Sequence, residues 1–227
     1  MPKSKDKGSM QVHLLRALPK TKRNIVARDK AKKQDPEVIA IAKQYGEMYF
    51  DGPRSYGYGG YCYDGRWVPV AKDMVAYFGL QSGDKFLDVG CGKGFLMQDL
   101  EMVCPGLVTF GLDISSYALQ RTEAHIRPRV VLGNARELPF ETGSCTAVVS
   151  INTIHNLPRD QAIQALREIQ RVSGGRAFVQ MDSYLTAEEK EVFESWVLTA
   201  EFHDYPAGWL TLFEEAGYTG AYDWTLI

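Results

Sequence analysis

The sequence has few cysteines, no long hydrophobic run and almost no net charge, and each absence excludes a class of protein. The four cysteines are scattered, with no C-x-x-C pair and no zinc-ligand spacing, so we expect reduced thiols and no metal site. No apolar run approaches the roughly 20 residues that span a bilayer. The lysine-rich start has no apolar core, so it is not a secretory signal. We therefore expect a cytoplasmic protein, and the formal net charge of −2 gives no general attraction to nucleic acid.

A chain of 227 residues can bury one substantial core. We expect three segments: a basic arm over residues 1–34, flexible or partly helical, a helical and aromatic cap over 35–80, and the main domain over 81–227. Two readings of the arm stay open, a solvated tail and a contact for a polyanion. The acidic residues of this arm are Asp6 and Asp29 alone. Its basic residues include Lys20, Lys22, Arg23, Lys30, Lys32 and Lys33.

The chain after residue 84 alternates between apolar strands and amphipathic helices. This pattern predicts a parallel sheet with helices on both faces, and ligands bind such sheets beyond the carboxyl ends of the strands. Leu198 to His203 could be a further strand, and the pattern does not decide it. Strands are predicted near residues 85–89, 107–112, 129–132, 146–151, 176–181 and 218–227, and helices near 36–49, 68–78, 95–103, 115–125, 158–172, 186–197 and 209–216.

The most informative stretch is a glycine turn at residues 86–95, Phe-Leu-Asp-Val-Gly-Cys-Gly-Lys-Gly-Phe. Asp88 ends a predicted strand, and Gly90, Gly92 and Gly94 follow at alternate positions before a helix. Glycine allows a tight turn and a close approach of backbone to a ligand, and the helix start offers free N–H groups.

Four elements in order resemble the class I, Rossmann-like S-adenosylmethionine-dependent methyltransferases of small-molecule type. The resemblance covers roughly residues 84–182 and implies a three-layer sandwich with a mostly parallel sheet and an N-terminal helical and aromatic lid. The glycine turn with Asp88 resembles the family's first motif, around the methionine part of the cofactor. Asp113 and Ile114 resemble its second motif, in which the acid binds the ribose hydroxyls.

The last two elements imply the rest of the cofactor site. Asn134 and Ala135, in Gly133-Asn-Ala-Arg-Glu-Leu-Pro-Phe, resemble the family's adenine-binding stretch. Asparagine replaces the usual aspartate there, so adenine recognition should be weaker without the charge. The segment from Ser150 to Leu157, with Asn152, resembles the one that faces the methyl donor.

His155 is the leading candidate for a catalytic base, because imidazole titrates near neutral pH and His155 follows the strand that faces the donor. Pocket lining without proton transfer is the competing interpretation. Asp182 and the pair His203-Asp204 could also reach the site, the latter pair equally well being a surface loop. A hydroxyl acceptor needs such a base, whereas an amine only has to arrive deprotonated.

Residues 45–67 are rich in aromatic residues and glycine, which suits a hinged lid that selects the substrate. The aromatic rings could contact sugars, aromatic rings or cations, or they could form a local core. The candidate substrate-binding residues are Tyr56, Tyr58, Tyr61, Tyr63 and Trp67.

The sequence therefore predicts S-adenosylmethionine-dependent methyl transfer to a small polar acceptor, such as a sugar, a phosphorylated metabolite or a natural product. One alternative is a methyltransferase acting on RNA or protein through the basic arm. Another is a non-catalytic nucleotide-binding protein on the same scaffold. The acceptor, the acceptor atom and the oligomeric state do not follow from the sequence.

Overall fold

The computed structural model describes residues 9–18 and 35–226. In this part of the chain the strands are β1 (Met10–Gln11), β2 (Lys85–Val89), β3 (Val108–Asp113), β4 (Val130–Leu132), β5 (Ala147–Ile151), β6 (Ala177–Ser183) and β7 (Ala221–Leu226). They form a single sheet in the order β1-β7-β6-β5-β2-β3-β4. Every pair is parallel, so the carboxyl ends of all these strands lie along the same edge.

The described helices are α1 (Pro36–Ala42), α2 (Glu47–Phe50), α3 (Val68–Phe78), α4 (Phe95–Val103), α5 (Ser116–Gln120), α6 (Arg159–Ser173), α7 (Ala187–Trp196) and α8 (Pro206–Ala216). Gly79 and Gly217 end α3 and α8 with a left-handed backbone, the usual glycine stop. Thr186 and Glu189 form a capping box at the start of α7.

Two apolar layers cover the sheet, as its strand sequences require. One face of β2, β5 and β6 packs with Leu166 and Ile169 of α6 and with Trp209 and Phe213 of α8. The opposite face packs with Met74 of α3 and Leu100 of α4 among others. Strands buried on both sides are expected to be apolar throughout, and the Rossmann-like three-layer architecture predicted from the sequence is confirmed.

Several predicted element bounds differ from the structure. The helix expected over residues 36–49 is two short helices, with Tyr45 between them at a positive φ of 49°. The helix expected to reach His125 stops at Gln120, so that prediction was too long. Residues 198–203, left undecided, do not form a strand.

The described part of the predicted arm joins the main fold. Met10 and Gln11 pair with Ala221 and Tyr222 of β7, and Leu14 and Leu15 are buried in the layer beside α3. Residues 14–18 are turns, and the lysines and arginines of residues 20–33 lie outside the described residues. The segment boundaries at 34 and 80 stay predictions.

Leu166→Ala tests the packing of α6 on the sheet. Leu166 is fully buried, so removing its methyl groups should lower the free energy of unfolding by about 2–5 kcal/mol. Chemical denaturation measures the change. Gln164→Ala is the matched control on the exposed side of the same helix and should change stability by less than about 0.5 kcal/mol. Equal effects of the two substitutions would contradict this packing.

Candidate functional site

A cavity of about 1240 Å³ runs along the carboxyl ends of the strands. Sites for a single small ligand are typically about 300–1,000 Å³, so this cavity has room for more than one small molecule. One end lies at the glycine turn and Asp113, and the other lies at β7 and the segment after β1. The cap segment, defined as residues 45–67, forms much of its wall between these ends.

The glycine turn is fixed against the end of β3. The Gly90 and Cys91 N–H groups both donate to the Leu112 carbonyl, at 2.7 and 3.1 Å. Gly90 has a φ of 88°, and a Cβ there would collide with the Thr153 side chain. Only glycine fits this position, since both the backbone angle and the neighbouring atoms exclude a side chain.

The Asp113 carboxylate holds the turn and faces the cavity. Its Oδ2 accepts from the Gly92 N–H at 2.7 Å, and its Oδ1 accepts from the Ser115 N–H at 2.8 Å. Burial raises its pKa, although these backbone hydrogen bonds oppose the shift. Each oxygen keeps acceptor capacity after one bond, so the carboxylate is oriented to accept two further hydrogen bonds from a ligand.

Asp88 is the acidic residue of the site whose carboxylate has the fewest stabilising contacts. It is 5% exposed and lines the cavity, and no described residue donates a hydrogen bond to its carboxylate. Burial and then the Asp113 charge raise its pKa to about 7. A buried carboxylate without donors is costly, so Asp88 is poised to bind a cationic or donor group of a ligand.

Two non-glycine residues with a left-handed backbone also line the cavity. Asn152 follows β5 with a φ of 53°, and Tyr45 has a φ of 49°. Hydrogen bonds hold both segments, because the Asn152 N–H donates to the Gln180 carbonyl and Ser115 Oγ donates to the Tyr45 carbonyl. Such strain persists where the surroundings impose it, and it clusters at functional sites.

The cap segment packs its aromatic rings over the glycine turn. Tyr61 stacks on Phe95 at 4.8 Å between ring centroids and lies 4.6 Å from Tyr58. A Cβ placed on Gly92 would meet Tyr61 and Phe50 at about van der Waals distance. The aromatic residues therefore form both a local core and a wall of the cavity. Closing and opening as a lid stays a prediction.

Lys93 of the glycine turn anchors the cap segment, a contact that the sequence did not suggest. Its ammonium group is nearly buried and donates to both Asp51 oxygens and to the Tyr61 carbonyl, each at 2.7 Å. Tyr117 also donates to Asp51, at 2.8 Å. Partial burial by itself favours a higher pKa of Asp51. The hydrogen bonds from Lys93 and Tyr117 outweigh this effect, so the net result is a lowered pKa of Asp51.

The structure brings His155 and Asp182 together, away from the lining of the large cavity. Both are buried, and the Asp182 N–H donates to His155 Nδ1 at 3.3 Å. His155 Nε2 lies 4.0 Å from an Asp182 carboxylate oxygen. The His155 carbonyl accepts from the Glu201 and Phe202 N–H groups. These contacts connect β6 to the segment after α7, and a catalytic role for the pair stays a prediction.

Most of the predicted cofactor and substrate residues do meet at the cavity, and three of them, Gly94, Tyr56 and Tyr63, do not line it. Gly94 begins α4, where a Cβ would press on Thr122. Tyr63 donates to Asp99 at 2.7 Å. His203 also lies outside the cavity lining, where it forms a hydrogen bond with Tyr184. The predicted residues that line it are Asp88, Gly90, Gly92, Asp113, Ile114, Asn134, Ala135, Asn152, Tyr58, Tyr61 and Trp67.

The far end of the cavity contains polar residues that the sequence did not suggest. His13 and Gln11 contact Asp223, and Gln180 of β6 pairs with Asp223 in register. All four line the cavity. Their association depends on the pairing of β1 with β7, which joins residues about 210 positions apart, and no local pattern predicts that pairing.

Comparison with known proteins identifies the central part of the chain. Residues 87–179 match a family model described as a methyltransferase domain. A cobalt-precorrin-6B C(15)-methyltransferase of Methanosarcina acetivorans is 36% identical over 90 residues, covering 35% of this chain and 49% of that protein. Demethylmenaquinone methyltransferase of Geobacillus stearothermophilus is 31% identical over 109 residues, covering 45% and 46%.

Among solved structures, geranyl diphosphate C-methyltransferase of Streptomyces coelicolor has the same fold. Its complex with geranyl diphosphate and S-adenosyl-L-homocysteine superposes with a TM-score of 0.53 at 17% identity, covering 64% of this chain and 58% of that one. The chain spans about half the length of the curated relatives quoted above. For residues 87–179, the matches confirm the predicted resemblance to the class I methyltransferases. No described helix is long and apolar enough to cross a membrane.

Lys93→Met tests the attachment of the cap segment. Removing a nearly buried ammonium group that makes three hydrogen bonds should loosen the cap by about 1–3 kcal/mol. The Tyr61 amide, which donates to Asp51, should then exchange its hydrogen about 5- to 150-fold faster. Lys190→Met removes only an exposed pair with Glu194 and should leave this exchange unchanged. Unchanged exchange in Lys93→Met would show that the ion pair does not hold the cap.

Proposed function

We propose that this chain, whose residues 87–179 belong to the class I methyltransferases, transfers a methyl group from S-adenosylmethionine to a small polar acceptor. The observation that carries the proposal is one continuous cavity with two differently built ends. The first end presents Asp88, Asp113 and the glycine turn. The second end presents polar side chains of β1, β6 and β7, which suit a separate acceptor molecule.

The residues at the first end fit the cofactor by their chemistry. Asp113 offers oriented carboxylate oxygens for two ribose hydroxyls. Asp88, buried and without a donor, suits the amino group of the methionine part. Asn134 and Ala135 line the cavity beside Asp113 and would contact the adenine. S-adenosylmethionine supplies an electrophilic methyl group on a positively charged sulfur.

The lining of the cavity favours a small acceptor. The cap aromatics and the segment after β1 form part of its wall, and orientation of two molecules in such a space is worth about 7–11 kcal/mol at best. The curated relatives named above act on precorrin and demethylmenaquinone by their names, which supports a small-molecule acceptor here. Asn152 lines the cavity directly after β5, between the two ends.

Asp113→Ala should abolish cofactor binding. The substitution removes both ribose acceptors and also the anchor of the Gly92 N–H, so the affinity for S-adenosylhomocysteine should fall at least 100-fold. Isothermal titration calorimetry measures it. Asp160→Ala, at an exposed position of α6, is the control and should bind as the wild type does. Wild-type protein that gives no heat and no thermal shift would favour a non-catalytic protein on this scaffold.

Cofactor binding should depend on pH through Asp88. Its free pKa is about 7, and a ligand ammonium group favours the ionised form, so binding must displace a proton below that pH. The affinity for S-adenosylhomocysteine should therefore rise by up to about tenfold per pH unit between roughly pH 5.5 and 7, then level off. Asp88→Asn should bind more weakly and lose this dependence. Proton uptake on binding, measured in buffers of different ionisation enthalpy, would contradict the role of Asp88.

The basic residues of the arm provide the test against a nucleic-acid acceptor. Replacing Lys20, Lys22, Lys30, Lys32 and Lys33 by glutamine leaves the described residues unchanged. A small-molecule enzyme should keep its methyl transfer to small metabolites in this variant. If the wild type binds RNA with a steep salt dependence that the variant loses, and methylates it, the acceptor is RNA.

A further inference from the structure

A row of three side chains crosses the sheet on the face that packs against α3. Ile151 of β5 pairs with Gln180 of β6, and Gln180 pairs with Asp223 of β7. Side chains two residues apart on a strand share a face. Each member of the row stands two residues after a residue that is buried in the layer beside α3, namely Val149, Phe178 and Ala221. The three side chains are therefore neighbours on one face, at the level where β5 ends, and all line the cavity.

The row continues the cofactor end of the cavity on the same face. Asp88 stands two residues after Phe86, which belongs to the same buried layer, and it pairs with Val149, two residues before Ile151. Neighbouring strands lie about 4.8 Å apart, so β6 lies about 5 Å and β7 about 10 Å from β5. The methyl donor is expected beside Asn152, directly after β5. A molecule whose reacting atom lies there can therefore reach Gln180 and Asp223 with its other atoms.

Gln180 has a hydrogen-bond acceptor that the protein does not use. The side chain is 7% exposed, and its Nε2 donates to Thr225 Oγ1, which orients the amide. Within the part of the chain that the structure describes, no group donates to its buried Oε1. Buried polar atoms usually have partners, and an exception needs an explanation. A donor group of a ligand in the cavity would satisfy this oxygen.

Asn156 repeats this arrangement close to the end of β5. It lies in the short turn at residues 154–156 and lines the cavity. Its Nδ2 donates to the Asn152 carbonyl at 3.2 Å, while its Oδ1 is buried and has no donor among the described residues. Both amides thus use their NH₂ group within the protein and leave the oxygen. Because an amide oxygen only accepts hydrogen bonds, the two favour a ligand with several donor groups.

Asp223 adds a third hydrogen-bond acceptor at the end of the row. Its oxygens contact Gln11 and His13, and a carboxylate has about four lone-pair sites, so acceptor capacity remains. Charges at this end of the cavity are already paired, because Asp223 contacts an imidazole and both Arg16 and Arg66 of the lining contact an aspartate. A neutral donor such as a hydroxyl group fits this end better than a charged group does.

We infer that the methyl acceptor is a neutral polyol of saccharide size, whose hydroxyl groups donate to Asn156, Gln180 and Asp223. Its reacting atom lies beside Ile151, at the start of the row. The three polar residues determine specificity by binding hydroxyl groups that are not methylated. The inference rests on the proposed function and extends it to the class of substrate. Hydroxyl groups along a sugar ring or a five-carbon chain have separations comparable with the strand spacing of about 5 Å.

Binding is measured without turnover by using three five-carbon probes. Xylitol carries hydroxyl groups, 1,5-diaminopentane carries ammonium groups, and glutarate carries only hydrogen-bond acceptors. Each probe is titrated into ¹⁵N-labelled protein saturated with S-adenosylhomocysteine. The side-chain NH₂ signals are identified by their loss in Gln180→Met and Asn156→Leu. We expect xylitol to shift both sets of signals in a saturable way and glutarate to leave them unchanged. No shift with xylitol, or a shift with 1,5-diaminopentane alone, would overturn the inference.

Turnover is measured with trideuteromethyl S-adenosylmethionine and a metabolite extract of the source organism, and mass spectrometry identifies the labelled product. The product should carry several free hydroxyl groups besides the methylated atom. Gln180→Met should raise the apparent KM for this substrate about 5- to 10-fold, which corresponds to the loss of about one hydrogen bond. The kcat should stay within about twofold, because the lost contact is made equally in the bound substrate and the transition state.

Two further variants separate recognition from packing. Gln170→Met is the matched control, because Gln170 Nε2 also donates to a threonine, Thr219, at 3.0 Å, but on α6 outside the cavity lining. It should leave the apparent KM unchanged. Thr225→Val removes the internal hydrogen bond of Gln180 and keeps Oε1, so it should lower the Tm as Gln180→Met does but raise the apparent KM less. Equal effects of Thr225→Val and Gln180→Met on KM would show a purely structural role and overturn the inference.

The outcomes distinguish this inference from the proposed function. S-adenosylhomocysteine should bind wild type and Gln180→Met equally, because the row lies beyond the cofactor end of the cavity. If it binds the wild type and xylitol does not, or if the product lacks free hydroxyl groups or does not form, the inference fails and cofactor binding stands. If S-adenosylhomocysteine does not bind the wild type, the proposed function itself fails.

Discussion

The parallel pairing of the strands is the constraint on which the site depends. Because every described pair is parallel, the carboxyl ends of the described strands face the same way. Residues far apart in the chain, from His13 to Asp223, are thereby collected along one edge.

This edge concentrates negative charge in a place with little water. Asp88 and Asp113 are both buried at the end of neighbouring strands, and the Asp113 charge disfavours the ionised form of Asp88. Backbone N–H groups compensate Asp113, whereas no described residue donates to Asp88. The protein alone therefore leaves one acid unsatisfied, and a ligand with a cationic group removes that cost as it binds. The free energy that the unsatisfied Asp88 carboxylate costs the folded protein therefore makes the site selective for a ligand with a cationic group.

The glycine turn connects this charge to the cap segment. The Gly92 N–H is held by Asp113, and the next residue, Lys93, holds Asp51 of the cap. A ligand on Asp113 and a movement of the cap therefore act on two consecutive residues. Gly90, fixed by both backbone angle and neighbours, keeps this turn rigid.

Local patterns predicted the sheet, most helices and the cofactor end of the cavity, because those features are encoded by residues close in sequence. The glycine turn, the strand before it and the acid after β3 lie within about 30 residues. The helix expected to reach His125 was too long because the capping signal at Ser115 marks only its start. Lys93 was missed because its partner, Asp51, is 42 residues away.

The far end of the cavity escaped prediction for the same reason on a larger scale. His13 lies in a segment whose lysines and arginines dominate its composition, and Asp223 lies in the last strand. The histidine that the motif order favoured, His155, packs with Asp182 behind the cavity lining, where the Asp182 N–H donates to its Nδ1. At His13 the ring nitrogen in the same position faces a carboxylate. An amide donor leaves Nδ1 of His155 as the acceptor, while the carboxylate requires Nδ1 of His13 to be the donor. The two contacts therefore favour opposite tautomers of the two histidines.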